Sequence, residues 1–283
     1  MRYAVIGCDA NEAYSFFLPM TATLWRRLGF TPLFILVDQN AWMTPTHQLE
    51  LDYLCDAHIA WAPPHTVERT ATVAQVSRLF AANLPFIHAN DQLITTDADT
   101  WPLGAWIGNA SGELQLYNVN LYPLDPHWPA PAHFPMCYVA ANASVWRELM
   151  GTAPFTVGLH AALNSCQAGK PPDVSPQMWT WTFDERLLSE RVTSWLGFPQ
   201  RCVFIPRNSS CFGEASINRY RFNVPKTLAA FADAHLPRPG FADAWPQLRA
   251  LLALAVGARA AEKWDRYRQE YVDCLQRSRS RCP

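Results

Sequence analysis

Four short apolar runs separated by helical segments constrain the first hundred residues more than any other feature of this chain. YAVIGC (3–8), PLFILV (32–37) and HIAWA (58–62) have the length and β-branched or aromatic content of buried strands, and QLITTDAD (92–99) follows as a fourth. Between the first two, Phe17, Met20, Leu24 and Leu28 recur at helical spacing, and Gly29 follows as a stop signal. A short helix is expected from Leu49 to residue 55. TVERTATVAQVSRLFAANL (66–84) carries Val73, Val76, Leu79 and Phe80 on one helical face. Strand and helix in alternation predict a mostly parallel, Rossmann-like sheet with helices on its faces.

After Asp99 the rhythm changes. ELQLYNVNLY (113–122) alternates like a strand, residues 122–135 form a Pro-rich loop, and MCYVAANASVWRELM (136–150) reads as strand, N-cap at Asn142 or Ser144, and helix. A helix over 184–197, a strand CVFIP (202–206) and a helical region over 244–278, interrupted near Gly257, complete the pattern. The expected class is α/β, a mixed sheet flanked by helices with a helical C-terminal region. The expected division is 1–243 (halves of about 1–103 and 104–243) followed by a helical appendage, 244–283.

Composition excludes several functions. Twenty-three basic against 24 acidic residues give a net charge of −1, so no global basicity points to nucleic acid. None of the eight cysteines forms a C-x-x-C pair, which argues against zinc ribbons and thioredoxin-type chemistry. The longest apolar run, LLALAV (251–256), is far below the ~20 residues of a membrane span. With a strand beginning near residue 3, no signal peptide is expected, and a soluble, cytoplasmic protein follows.

The chemistry concentrates where the fourth strand ends. LITTDADTWPL (93–103) places Asp97 and Asp99 around Ala98. Read as strand continuation, the two carboxylates share a face and repel, and a divalent cation is the usual relief. In open α/β sheets ligands sit beyond the carboxyl ends of strands. CDANEAYS (8–15) lies at such an end and offers helix N-terminal N–H groups with Asp9, Asn11 and Ser15 for a base or ribose. It lacks G-x-G-x-x-G, so NAD and FAD have no support.

SRLFAA (77–82), a strand and then TDADTWPL together resemble the D-x-D region of metal-dependent glycosyltransferases of the GT-A fold. The resemblance implies that Asp97 and Asp99 hold Mn²⁺ or Mg²⁺ against the diphosphate of a nucleotide-sugar, with UDP as the nucleotide. It implies that Arg78 braces the site, and that Cys8, Asp9, Ala10, Asn11 and Ala98 line the donor. YAVIGCDANEAYSFFLPMT and the D-x-D segment are also similar to the first domain of chlorovirus-type multidomain glycosyltransferases, including a rhamnosyltransferase, over roughly residues 1–150. Hexosyl or deoxyhexosyl transfer to a glycan acceptor follows from that likeness. WTWTFDERLL (179–188) resembles the family's acceptor segment: Asp184 or Glu185 is the carboxylate for the acceptor hydroxyl, and Trp179 and Trp181 are candidates for stacking on a sugar. The resemblance further implies that AHLPRPGF (234–241) supplies His235 as a third metal ligand and Arg238 as a diphosphate cation. The family's lysine-bearing form of this motif is absent. NRYRFNVPK (218–226) is a competing cation source through Arg219, Arg221 and Lys226.

Two other readings compete. Asp97, Asp99 and Thr100 also match the first motif of haloacid-dehalogenase-like phosphatases, with Asp97 as nucleophile. That chemistry needs a downstream lysine and a further acidic pair, and its nucleophile follows the first strand rather than the fourth. A non-catalytic nucleotide-sugar binding protein is the third reading.

Overall fold

The computed structural model describes residues 1–54, 56–66, 68–104, 113–117, 134–166, 168, 170, 174–205 and 215–280. Its elements are β1 (Arg2–Cys8), α1 (Glu12–Ser15), α2 (Leu18–Arg27), β2 (Thr31–Val37), α3 (Pro45–Tyr53), β3 (His58–Ala62), α4 (Thr70–Ser77), β4 (Gln92–Thr96) and β5 (Thr100–Pro102). There follow β6 (Leu114–Tyr117), β7 (Val139–Asn142), α5 (Ala143–Met150), α6 (Phe155–Asn164), α7 (Pro176–Trp181) and α8 (Phe183–Thr193). The chain continues through β8 (Cys202–Ile205), β9 (Ala215–Ile217), β10 (Phe231–His235), α9 (Trp245–Val256) and α10 (Ala258–Ser280).

Among the described residues, seven strands form one sheet in the order β3-β2-β1-β4-β7-β6-β8. The four strands of the first half are parallel, with Ile6 opposite Phe34 on one side and Thr96 on the other. β7 runs antiparallel to both β4 and β6. This is the mixed, Rossmann-like sheet with flanking helices that the alternation predicts. A three-stranded sheet, β5-β10-β9, stands apart from it.

Both faces of the main sheet are covered, which is why β1 and β2 are nearly continuous hydrophobic runs. One core packs Val5, Leu33 and Ile35 against α4, α5, α6 and α8. The other packs Ile6, Phe34 and Leu36 against Ala22 and Trp25 of α2. α4 approaches β1 so closely that a Cβ on Gly7 would lie 1.9 Å from the Ala74 carbonyl oxygen. Gly7 is therefore a spacing residue for the helix that carries the chain to Arg78.

Three local expectations are refined. The helix expected after β1 is two helices: Pro19, at the start of α2, has no N–H to continue the turn from α1. The 66–84 segment is helical only to Ser77 and tightens into a 3₁₀ turn over Arg78–Asn83. The C-terminal region breaks at Gly257, whose φ of 90° is open to glycine, into α9 and α10. That region is not loosely attached: Leu248, Trp264, Tyr267 and Tyr271 share a third core with Phe16, Phe17, Met20 and Leu24. Among the described residues no helix is long and apolar enough to cross a membrane. The strand and loop expectations for residues 118–133 lie outside the described residues.

Candidate functional site

A cavity of about 480 Å³ opens at the carboxyl ends of β1 and β4, within the size range of small-ligand sites. Its lining includes Cys8, Asp9 and Asn11 after β1, Arg78, Asp97, Ala98 and Asp99, then Asp184 and Glu185 of α8, and Arg219 and His235.

The two aspartates do not lie along a strand. β4 ends at Thr96 and β5 begins at Thr100, so Asp97–Asp99 is the turn by which the chain leaves one sheet for the other. The turn is pinned at Ala98, which is buried and whose carbonyl accepts a hydrogen bond from Thr21 Oγ1 at 3.0 Å. With strand geometry lost, the carboxylates take different partners. Asp97 meets Arg78 at 2.6 Å, whereas Asp99 meets Arg219 at 2.9 Å and Arg238 at 3.3 Å.

Arg78 is the centre of the inner wall. Its side chain is 4% exposed, and it donates to Asp97, to Asp184 Oδ2 at 2.8 Å, to the Thr96 carbonyl at 2.9 Å and to the Gln75 carbonyl at 3.2 Å. The guanidinium fork thus joins the end of β4 to the start of α8. Burial pushes the Asp184 carboxyl up to about 6, against the pull of Arg78. Asp99 is also pushed up to about 6, by burial first and by the Asp97 charge second.

β10 completes the outer wall. Its register sets His235 opposite Thr100, and the Leu236 N–H donates to the Asp99 carbonyl at 2.9 Å. His235 Nδ1 lies 3.3 Å from the Arg219 guanidinium. Arg238 spreads over the Tyr14 ring at 4.3 Å, which links this wall to the first loop.

Asp97, Asp99 and His235 supply hard oxygens and an imidazole, the donors that Mn²⁺ and Mg²⁺ accept. The raised carboxyl of Asp99 reflects its burial first and the neighbouring Asp97 charge second. By donor chemistry the residues fit such an ion. Among the described residues, however, no three His, Cys, Asp or Glu side chains already form a metal-holding group, because each aspartate is turned toward an arginine. Admitting a cation therefore requires Arg219 and Arg238 to yield Asp99.

The other expected residues divide. Asp9 accepts from Thr70 Oγ1 at 2.9 Å, and Asn11 caps α1 by accepting from the Ala13 N–H at 3.0 Å; both line the cavity. Cys8 lines it too, with its thiol pushed well up by burial, so it is no nucleophile. Ala10 borders a neighbouring hollow instead. Ser15 is fully buried and donates to Glu50 at 2.7 Å, so it is not available to a base or ribose. Trp181 is 49% exposed and lines the cavity, but Trp179 is buried, donates to the Cys166 carbonyl and is covered by Arg186. Arg221 and Lys226 are exposed and are not among the lining residues; Arg219 is. No lysine lines the cavity among the described residues, and Asp97 follows the fourth strand, so the phosphatase constellation is not assembled here. Tyr14 and Gln75 also line it, without any motif in the sequence to mark them.

No protein-family model matches the sequence, and no curated protein matches it. Solved structures do match. The chain is similar to GlyE, a glycosyltransferase of Streptococcus pneumoniae TIGR4, in its apo form. Identity is 13%, the match covers 99% of this chain and 63% of that one, and the TM-score is 0.45, so this chain spans 63% of GlyE's length. It is also similar to the galactosyltransferase LgtC in complex with donor and acceptor sugar analogues, at 10% identity over 96% of both chains and a TM-score of 0.47. An active-site mutant of LgtC matches at 12% identity over 89% of this chain and 95% of that one, with a TM-score of 0.48.

Proposed function

We propose that this chain is a glycosyltransferase of the GT-A type, moving a hexosyl or deoxyhexosyl group from a UDP-linked sugar to a carbohydrate hydroxyl. The observation that carries the reading is the Arg78 clamp. It draws Asp97 and Asp184 together on one wall of a cavity whose other wall carries Asp99, His235 and Arg219. An acidic floor faced by arginines would suit a diphosphate together with a metal ion, since each charge would then have a partner.

Within this reading the first loop, Asp9 to Tyr14, receives the nucleoside. Asp97, Asp99 and His235 hold Mn²⁺ or Mg²⁺, which when bound neutralises charge on the departing diphosphate. Arg219 and Arg238 turn from Asp99 to the phosphates. Glu185 is favoured over Asp184 as the carboxylate for the acceptor hydroxyl. Asp184 is buried and committed to Arg78, whereas Glu185 is half-buried on the cavity lining. Trp181 offers its ring face to the acceptor sugar. The deciding experiment is calorimetric titration with UDP, with and without Mn²⁺, followed by a nucleotide-sugar screen read by mass spectrometry. Metal-dependent UDP binding and sugar transfer are expected. No binding of UDP under either condition would end the proposal.

A further inference from the structure

Beneath the first loop lies a buried polar group that the reaction does not use. Glu50 of α3 is fully buried, and its two oxygens are taken by different elements. Oε1 accepts from Ser15 Oγ of α1 at 2.7 Å, and Oε2 lies 2.8 Å from Nδ1 of His47, itself 3% exposed. The imidazole and Ala10 border the same hollow. Tyr271 of α10 packs edge-on against the Phe16 ring at 4.9 Å, and the buried Tyr267 hydroxyl donates to the Phe16 carbonyl at 3.1 Å. Ser15 and Phe16 are thus held from below by α3 and α10.

The order of contacts rules out a hydrolytic triad. The serine bonds to the carboxylate and not to the imidazole, so no base faces its hydroxyl, and all three groups are closed to solvent. As a source of stability the group is a poor choice, because apolar side chains of the same volume avoid the desolvation cost of buried charge. What it supplies is direction: each contact fixes a particular atom of the loop. Directly above, Asn11 and Tyr14 line the cavity, and Tyr14 carries the Arg238 guanidinium.

We infer that the Glu50–His47 pair is a positioning device for nucleoside diphosphate binding: by holding Ser15 from below, it sets Asn11, Tyr14 and, through Tyr14, Arg238. The inference rests on the nucleotide-sugar reading above, and it makes α10 a working part of the donor site.

The test uses the full chain with Glu50→Gln, Ser15→Ala and Tyr267→Phe, the last two each removing a single hydroxyl should the first fail to fold. Hydrogen exchange over residues 8–17 is measured against residues 143–150 on α5, and UDP affinity by calorimetry. Amide exchange in the loop is expected to rise about tenfold while α5 is unchanged, and the UDP Kd to rise by a similar factor. In transfer assays the donor KM should rise with kcat at saturating donor preserved. Unchanged loop exchange overturns the inference. So does unchanged UDP affinity in variants of a wild type that binds UDP. A wild type that binds no UDP, with a loop that still responds, overturns the nucleotide reading alone.

Discussion

Replacing Arg78 by alanine removes the one group that bonds Asp97, Asp184 and the Thr96 carbonyl together. Deleting one partner of a buried ion pair costs about 3–5 kcal/mol when the remaining charge stays ionised. Two features of the site moderate that figure. Asp97 is 37% exposed, so water can take over its solvation. Asp184 is already pushed up to about 6, so without Arg78 it escapes at pH 7 by taking a proton, which caps its share at about 1 kcal/mol. The orphaned Thr96 and Gln75 carbonyls add about 1 kcal/mol or less each. A loss of about 3 kcal/mol lowers the melting temperature by about 6–12 °C for a domain of this size, leaving it folded. Scanning fluorimetry on Arg78→Ala, Asp184→Asn and the double variant isolates the pair, and a coupling of at least about 1 kcal/mol is expected. Arg78→Lys should recover only part of the loss, because a point charge cannot span both carboxylates. A melting temperature for Arg78→Ala within about 2 °C of wild type, with no coupling to Asp184, would refute this account of the clamp.

Asp97→Asn and Asp99→Asn should each weaken Mn²⁺-dependent UDP binding by at least about tenfold in calorimetry. Without metal, Asp99→Asn should bind UDP no worse than wild type, since Arg219 and Arg238 lose their internal anion. Asp184 has a folded-state pKa above its unfolded value, so the folded state holds the proton more tightly. Its stabilisation is complete below about pH 4 and is lost as pH rises through about 6. Melting temperatures across that window should fall less steeply in Asp184→Asn, and an identical slope would contradict the assignment. Glu185→Gln should lower transfer by about 10²–10⁴-fold while UDP binding survives. Trp181→Ala should raise the acceptor KM with little change in donor KM.

What the sequence determined by itself is whatever near neighbours encode. β1 to β4 and the helices between them are legible because strand and helix periods are set by residues a few positions apart. The break at Gly257 and the placing of Asp97 and Asp99 at the end of the fourth strand are legible for the same reason, whereas Arg78 was marked only by the family resemblance. Tertiary structure decided everything that depends on which face meets which neighbour. Asp184 and Glu185 are equivalent in sequence, yet successive helix positions turn by about 100°, and only the packing of α8 sends one to Arg78 and leaves the other half-buried on the cavity. Arg219 and Arg221 are equally plausible cations until the pairing of β10 with β5 and β9 sets one of them beside Asp99. Glu50 and His47 sit in a helix with no marked apolar face, and nothing local announces that both are buried. Their burial arises from α1, α3 and α10 closing around them, and the cavity likewise arises from segments brought together by long-range pairing. Such contacts are decided by the shape of the whole core, which no short window of residues contains.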